Sequence, residues 1–182
     1  KLFLLPAAQN TDKSAIAPEE VKAIVADLKS DFDYILLDCP AGIEQGFANS
    51  VAGADEAIVV STPEISAVRD ADRVVGLLEQ ADLDEPPMLI INRIKKRMVN
   101  DGTMMDVDEI THHLSIKLIG IVFDDDEVIG TSNKGEPIVL NEKSPASKGY
   151  RNIARRLEGQ TVPLMTMKES DESGFFGKIA SW

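Results

Sequence analysis

The sequence predicts a doubly wound α/β domain with a mostly parallel sheet, and three observations point there. Short, almost continuously apolar runs recur along the chain, helix-length segments separate them, and polar residues suited to ligands (Asp38, Asn92, Asp125) stand at or just after the ends of three runs. Parallel strands read as unbroken apolar runs because crossover helices cover both faces of their sheet. Ligands in such sheets are expected beyond the carboxyl ends of the strands.

Five strands are expected: Leu2 to Leu5, Tyr34 to Leu37, Ala57 to Ser61, Met88 to Asn92 and Leu118 to Phe123. Pro18-Glu19-Glu20 opens a helix whose Val21, Ile24, Val25 and Leu28 recur at helical spacing and should face the sheet. Further helices are expected over residues 65–81, 107–114 and 145–157. No internal repeat is visible, and Pro86-Pro87 is a stiff entry into the fourth strand. After Leu164 the sequence turns polar and acidic, and aromatic residues return only at the end. The expected organisation is a main domain over residues 1–164, an acidic, flexible linker over 165–173 and an amphipathic segment over 174–182.

Composition narrows the function. The chain has 182 residues and 43% hydrophobic content, enough for one substantial core. A net charge of -12 would repel a phosphate backbone, so nucleic acid is not an expected partner. Cys39 is the single cysteine, which excludes an internal disulfide and a thiolate zinc cage and fits the reducing cytoplasm. No apolar run reaches the roughly 20 residues that span a bilayer, and no signal-peptide pattern is present. The chain starts at Lys1 rather than Met and leads at once into an apolar run, so the natural protein is expected to continue upstream.

The strongest local signal is Tyr34-Ile35-Leu36-Leu37-Asp38-Cys39-Pro40-Ala41-Gly42, read as a buried strand that delivers a carboxylate to a Pro/Gly turn. An aspartate there can hold Mg²⁺ through water, and a glycine amide can approach a terminal phosphate without a Cβ clash. The alternative is that Asp38 caps the next helix and Gly42 serves a tight turn. Cys39 reads as a small packing residue, since no His stands near it as a base. His112 and His113, near a helix end, lack a third ligand at metal-binding spacing and read as structural.

The segment Asp38-Cys39-Pro40-Ala41-Gly42-Ile43-Glu44 resembles the second switch of the MinD-type deviant-Walker ATPases, relatives of ParA partition proteins and nitrogenase iron protein. Leu5-Pro6-Ala7-Ala8-Gln9, Ala54-Asp55-Glu56-Ala57-Ile58, Ser66 to Arg73, Asn92-Arg93 and Ser132-Asn133-Lys134-Gly135-Glu136-Pro137 are similar to segments of that family in the same order. The resemblance implies a P-loop NTPase-like fold, ATP and Mg²⁺ as cofactors and a switch formed by Asp38, Pro40 and Gly42. It assigns Asn92 and Arg93 to the adenine base, with Asp125 in a loop that closes over it. Phe123 stands where the family often has proline. The family's Gly-rich phosphate loop and first switch have no match here, so the resemblance places them, with the first strands, upstream of Lys1. The chain alone is expected to bind ATP poorly and not to hydrolyse it.

Arg69, Asp70 and Asp72, with Arg73, fall on an expected helix, where a solvated charged face is the ordinary reading. The resemblance instead makes this helix the surface for regulatory partners, a septum inhibitor of MinC type and a topological regulator. Phe175, Phe176, Ile179 and Trp182 recur at spacings of three and four, with Lys178 toward headgroups, so the tail could lie in a membrane interface. It could also pack back as a final helix. The functional expectation is an ATP-dependent homodimer, peripheral on the inner face of the cell membrane, that places the division site. A ParA-like positioning ATPase with another cargo is the rival. A response-regulator module fits poorly, because Asp124 to Asp126 follow the last strand rather than the first.

Overall fold

The computed structural model describes residues 2–6, 16–40 and 42–166, which fall into two compact units. One comprises residues up to Ala57 with the excursion Gln80–Glu85. The other comprises Ile58–Glu79 and the chain from Pro86 onward.

In the first unit, helices α1 (Pro18–Leu28) and α2 (Gln45–Ala52) pack together. Pro18 occupies the first turn of α1, where its missing N–H is no loss, and the Glu20 carboxylate accepts from the Ala17 amide at 2.8 Å. Val25 is the buried residue of α1. A Cβ on Gly53 would meet the methyls of Val21 and Val25 at 3.2 Å, so α1 lies close over the end of α2.

Two of the five expected strands are not found. Leu2 to Leu5 and Tyr34 to Leu37 join no ladder among the described residues, and Leu4 and Leu36 are 88% and 85% exposed. An apolar run specifies burial, but a strand exists only where a neighbour takes up its amides and carbonyls. Phe3 and Phe32 meet edge to face at 5.4 Å, the one aromatic pair among the described residues.

The second unit holds the other three strands, β1 (Ile58–Ser61), β2 (Met88–Ile94) and β3 (Lys117–Phe123), in a parallel sheet of order β1-β2-β3. Leu89 and Ile91 of β2 are fully buried, while Ile90 joins a second cluster with Ile119, Val122, Ile138, Ala146 and Ile153. Both faces of β2 are thus covered, as its unbroken apolar run predicts. At β1 the expectation of double cover fails, since Val59 and Ser61 are buried but Val60 is 58% exposed.

Helix α3 (Ile65–Leu78) packs on β1 and on the later helix at 107–114, and its Val68, Ala71, Val75 and Leu78 are buried. It ends three residues short of the expected Ala81. Helix α4 (Lys96–Asn100) follows β2. Helix α5 (Val107–Leu114) follows in turn and is closed by a capping box, in which Asp106 Oδ1 accepts from the Glu109 amide at 2.8 Å and Glu109 Oε2 from the Asp106 amide at 3.0 Å. After β3 come α6 (Glu127–Asn133), a 3₁₀ turn over Ile138–Leu140 and α7 (Pro145–Leu157). Helix α7 lies directly on β3. A Cβ on Gly149 would come 2.9 Å from the Ile121 carbonyl oxygen, so this crossing needs glycine.

Candidate functional site

In the first unit, Asp38, Cys39 and Pro40 are exposed and belong to no strand, so Asp38 does not leave a buried strand as its apolar lead-in predicts. Cys39 is likewise exposed rather than packed, with its Sγ near the Pro40 carbonyl at 3.6 Å. Among the described residues Asp38 has no hydrogen-bonded or ion-paired partner, which leaves both carboxylate oxygens available. Gly42 has φ +101°, a backbone conformation that L side chains rarely adopt. A Cβ on Gly46 would stand 2.4 Å from Pro40 Cγ, so the proline ring rests on the first turn of α2. Gly46 is a part of the turn that the sequence reading passed over. Its signal was a glycine four residues past Gly42, inside a helix where glycine has no intrinsic advantage.

In the second unit, the ends of β2 and β3 converge on a polar cluster. The ladder register shifts between Ile91 and Ile94, so Asn92 and Arg93 occupy an irregularity of the kind that turns side chains toward a site. Arg93 has a positive φ of 59°, uncommon for a residue with a side chain. Its amide donates to Asn92 Oδ1 at 2.9 Å, which fixes the orientation of that side chain. Asp124, following β3, faces the pair: Arg93 Nε reaches its Oδ1 at 3.4 Å and Lys95 Nζ its Oδ2 at 3.6 Å. The Asp124 amide donates to the Ile94 carbonyl at 3.0 Å, which closes the junction.

Asp125, the aspartate singled out from the sequence, is engaged elsewhere. Its Oδ1 accepts from the Glu127 amide at 3.0 Å and its Oδ2 from the Ser144 hydroxyl at 2.5 Å. It therefore ties the start of α6 to the cap of α7, where Ser144 Oγ in turn accepts from the Ser147 amide at 3.0 Å. The structure thus brings together Asn92, Arg93, Lys95 and Asp124. Neither Lys95 nor Asp124 was assigned a role from the sequence. Three consecutive aspartates hide which one faces the strand ends.

Arg69, Asp70 and Asp72 are exposed on α3, as their charge pattern predicts. Asp70 pairs with Arg73 at 3.7 Å, with both side chains 75% exposed, a geometry that adds little stability. Arg93 and Lys95 also border an open groove of about 490 Å³, walled by Glu64 and Ile65 at the start of α3 and by Met98 and Met104. Phe175, Phe176, Lys178, Ile179 and Trp182 lie outside the described residues.

The fold recurs in known proteins. A sequence profile described as cellulose biosynthesis protein BcsQ matches residues 5–153. The septum site-determining protein MinD of Bacillus subtilis is 59% identical over 181 residues, all of this chain and 67% of its own length. The chain belongs to the MinD family of septum site-determining proteins. The profile's description names a different process, but residue-by-residue identity along the whole chain discriminates more finely than a match to a broad profile.

The MinD of Synechocystis is 54% identical, and the chain spans 62% of its length. Among solved structures, MinD of Aquifex aeolicus superposes with a TM-score of 0.79 at 45% identity, over 83% of this chain and 64% of that one. The same organism's MinC:MinD complex gives 0.78. A MinD from Pyrococcus horikoshii complexed with Mg-ADP shares the fold at 24% identity, with a TM-score of 0.68, over 78% of this chain and 56% of that one. These relatives confirm the doubly wound, P-loop NTPase-like fold class.

Proposed function

We propose that this chain forms the larger part of a division-site placement ATPase that dimerises around ATP, binds membrane as a dimer and recruits a septum inhibitor of MinC type under a topological regulator. The observation that carries this reading is the 59% identity to a septum site-determining protein along the whole chain. The solved complex of a MinD with MinC supports the choice of partner, and the Mg-ADP complex of another MinD supports the choice of cofactors.

Each unit by itself carries residues suited to one part of a nucleotide, Asp38 and Gly42 to the metal and phosphate in the first and Asn92 and Arg93 to the base in the second. Bound Mg²⁺ would supply charge neutralisation at the phosphates. Asp38, exposed and free of partners among the described residues, would hold that ion through water. Gly42 provides an amide unshielded by a Cβ on a turn braced by Pro40 against Gly46. Asn92 keeps its amino group to donate to a base edge once its oxygen has accepted from Arg93. The Arg93 guanidinium, 67% exposed, can lie along a ring face. Asp125 would act through the loop it pins rather than by touching the base.

Arg69, Asp70 and Asp72 form the proposed partner surface. Phe175, Phe176, Lys178, Ile179 and Trp182 form the proposed membrane segment, beyond an acidic linker at 165–173. A buried Met165 takes the packed region at least one residue into that linker. The proposed attachment is peripheral, on the inner face of the cell membrane; no helix among the described residues is long and apolar enough to cross one.

The test is Asp38→Ala in a protein of the relatives' full length. Mg-dependent hydrolysis should fall by at least tenfold while the melting temperature stays within a few degrees, because Asp38 fills no core. Wild-type turnover in that variant would remove Asp38 from the mechanism. The 182-residue chain alone should show no hydrolysis, since it carries no phosphate loop.

A further inference from the structure

The chain carries 31 acidic residues, yet residues 143–156 contain none, while five of its 19 Lys and Arg fall there: Lys143, Lys148, Arg151, Arg155 and Arg156. Helix α7 sorts them. Ala146, Gly149 and Ile153 are buried against β3, whereas Lys148, Arg151 and Arg155, three and four positions apart, lie exposed along one stripe. Arg151 gives its Nε and one Nη to the Val139 carbonyl, and Arg155 gives its Nε to Gln160 Oε1 at 2.8 Å. Each guanidinium has five N–H donors, so both keep several for an outside acceptor. The stripe borders an open groove of about 510 Å³ with Glu142 and Glu158 at its rim.

Arg156 fixes where the chain goes next. Its Nη1 donates to the Ile119 carbonyl at 2.8 Å, its Nε to Val162 at 2.9 Å and its Nη2 to Pro163 at 2.5 Å. Burial, and then the neighbouring Arg155, lower its pKa from the usual arginine value. One partly buried side chain thus anchors the segment after α7 to the backbone of β3 at Ile119. From Thr166 to Phe175 is nine residues, at most about 30 Å of chain.

We propose that the basic stripe of α7 is a second membrane contact, which takes the anionic headgroups of the bilayer that the terminal aromatic segment enters. The inference rests on the membrane reading given above. Charge complementarity and continuity with the chain exit support this occupant: Arg155, at one end of the stripe, holds Gln160, and its neighbour Arg156 holds Val162 and Pro163 on the way to the tail. It also answers an electrostatic difficulty, because Glu169, Asp171 and Glu172 would be repelled by the same headgroups. The aromatic segment supplies insertion, and α7 supplies preference for anionic lipid.

The test compares full-length wild type, Lys148→Glu/Arg155→Glu, the milder Lys148→Gln/Arg155→Gln and Phe176→Glu, each with ATP. Vesicles are of phosphatidylcholine alone or of phosphatidylcholine with phosphatidylglycerol, at low and high salt. Circular dichroism and ATP-dependent dimerisation are followed in parallel. The charge reversal should weaken binding to anionic vesicles tenfold or more and flatten its salt dependence, leave binding to neutral vesicles unchanged, and leave the dimer intact. The Gln variant should fall between, and it decides the matter if the reversal unfolds the protein. Wild-type binding by both charge variants, with loss in Phe176→Glu, would overturn the α7 contact and leave the membrane reading standing. Loss of the dimer instead would assign the stripe to a second copy of the chain and overturn the proposal. Failure of wild type to bind any vesicle would remove the membrane reading, and this inference with it.

Discussion

The segment before Asp38 and the strand before Asn92 look alike as sequences, yet one is at most half-buried and joins no ladder among the described residues while the other is the centre of a sheet. Tyr34-Ile35-Leu36-Leu37 and Leu89-Ile90-Ile91 are both unbroken apolar runs that end in a residue suited to a ligand. Leu36 is 85% exposed and joins no ladder among the described residues, whereas Leu89 and Ile91 are fully buried between β1 and β3. Apolar content states what a segment would gain from burial. Whether it is buried depends on which neighbours the chain supplies, and β2 has one on each side.

The widest test of this contrast is stability. Leu89→Ala removes a fully buried side chain from close-packed surroundings and should cost roughly 2–5 kcal/mol. Leu36→Ala should cost less than about 0.5 kcal/mol. Urea titration of the 182-residue chain measures both. Comparable losses would show that Leu36 is packed in solution and that the contrast between the two runs is false.

The same logic explains how much could be read beforehand. The last three expected strands, and the helices Pro18–Leu28, Val107–Leu114 and Pro145–Leu157, were legible because apolar runs, helical spacing and Pro at the first turn are local signals. Helix α2 was not, since its Gln-Gly-Phe-Ala-Asn-Ser-Val-Ala run is only eight residues long, carries glycine in the first turn and has no side-chain cap. Asn92 and Arg93 were placed correctly at the end of β2. Their ladder irregularity, the positive φ of Arg93 and the approach of Asp124 depend on a neighbouring strand and left no mark in the local sequence.

An intermediate effect separates Asp124 from Asp125, adjacent residues with different partners. Asp125→Asn should weaken the tie to the Glu127 amide and the Ser144 hydroxyl, destabilising by about 1 kcal/mol with a smaller change in nucleotide affinity. Asp124→Asn should cost about 0.5 kcal/mol, because the distances to Arg93 and Lys95 are long, 3.4 and 3.6 Å, and those two side chains are 67% and 46% exposed. It should nonetheless shift nucleotide affinity severalfold by freeing the Arg93 guanidinium. Thermal melts and nucleotide titration of the full-length protein give both quantities for each variant. The reverse assignment, with Asp125 controlling affinity and Asp124 stability, would restore Asp125 as the residue at the base.

The smallest stability effect belongs to the outer face of α3, a helix already packed on β1 and α5, with Val68, Ala71, Val75 and Leu78 buried. Arg69 and Asp72 are exposed, and neither forms an ion pair among the described residues, so reversing both charges removes no buried contact. Arg69→Glu/Asp72→Lys should therefore change folding stability by less than about 0.5 kcal/mol. A partner surface responds differently, because each reversed charge then meets a group arranged for the opposite sign and like-charge repulsion replaces attraction. Binding of a MinC-type inhibitor should weaken tenfold or more, with slower association and altered salt dependence, while nucleotide affinity stays within twofold. Interferometry with the inhibitor, a thermal melt and a nucleotide titration on one preparation read all three. If inhibitor binding is untouched, the charges of α3 only solvate the helix; if nucleotide affinity and stability fall together with it, the face supports the fold and is not a docking surface.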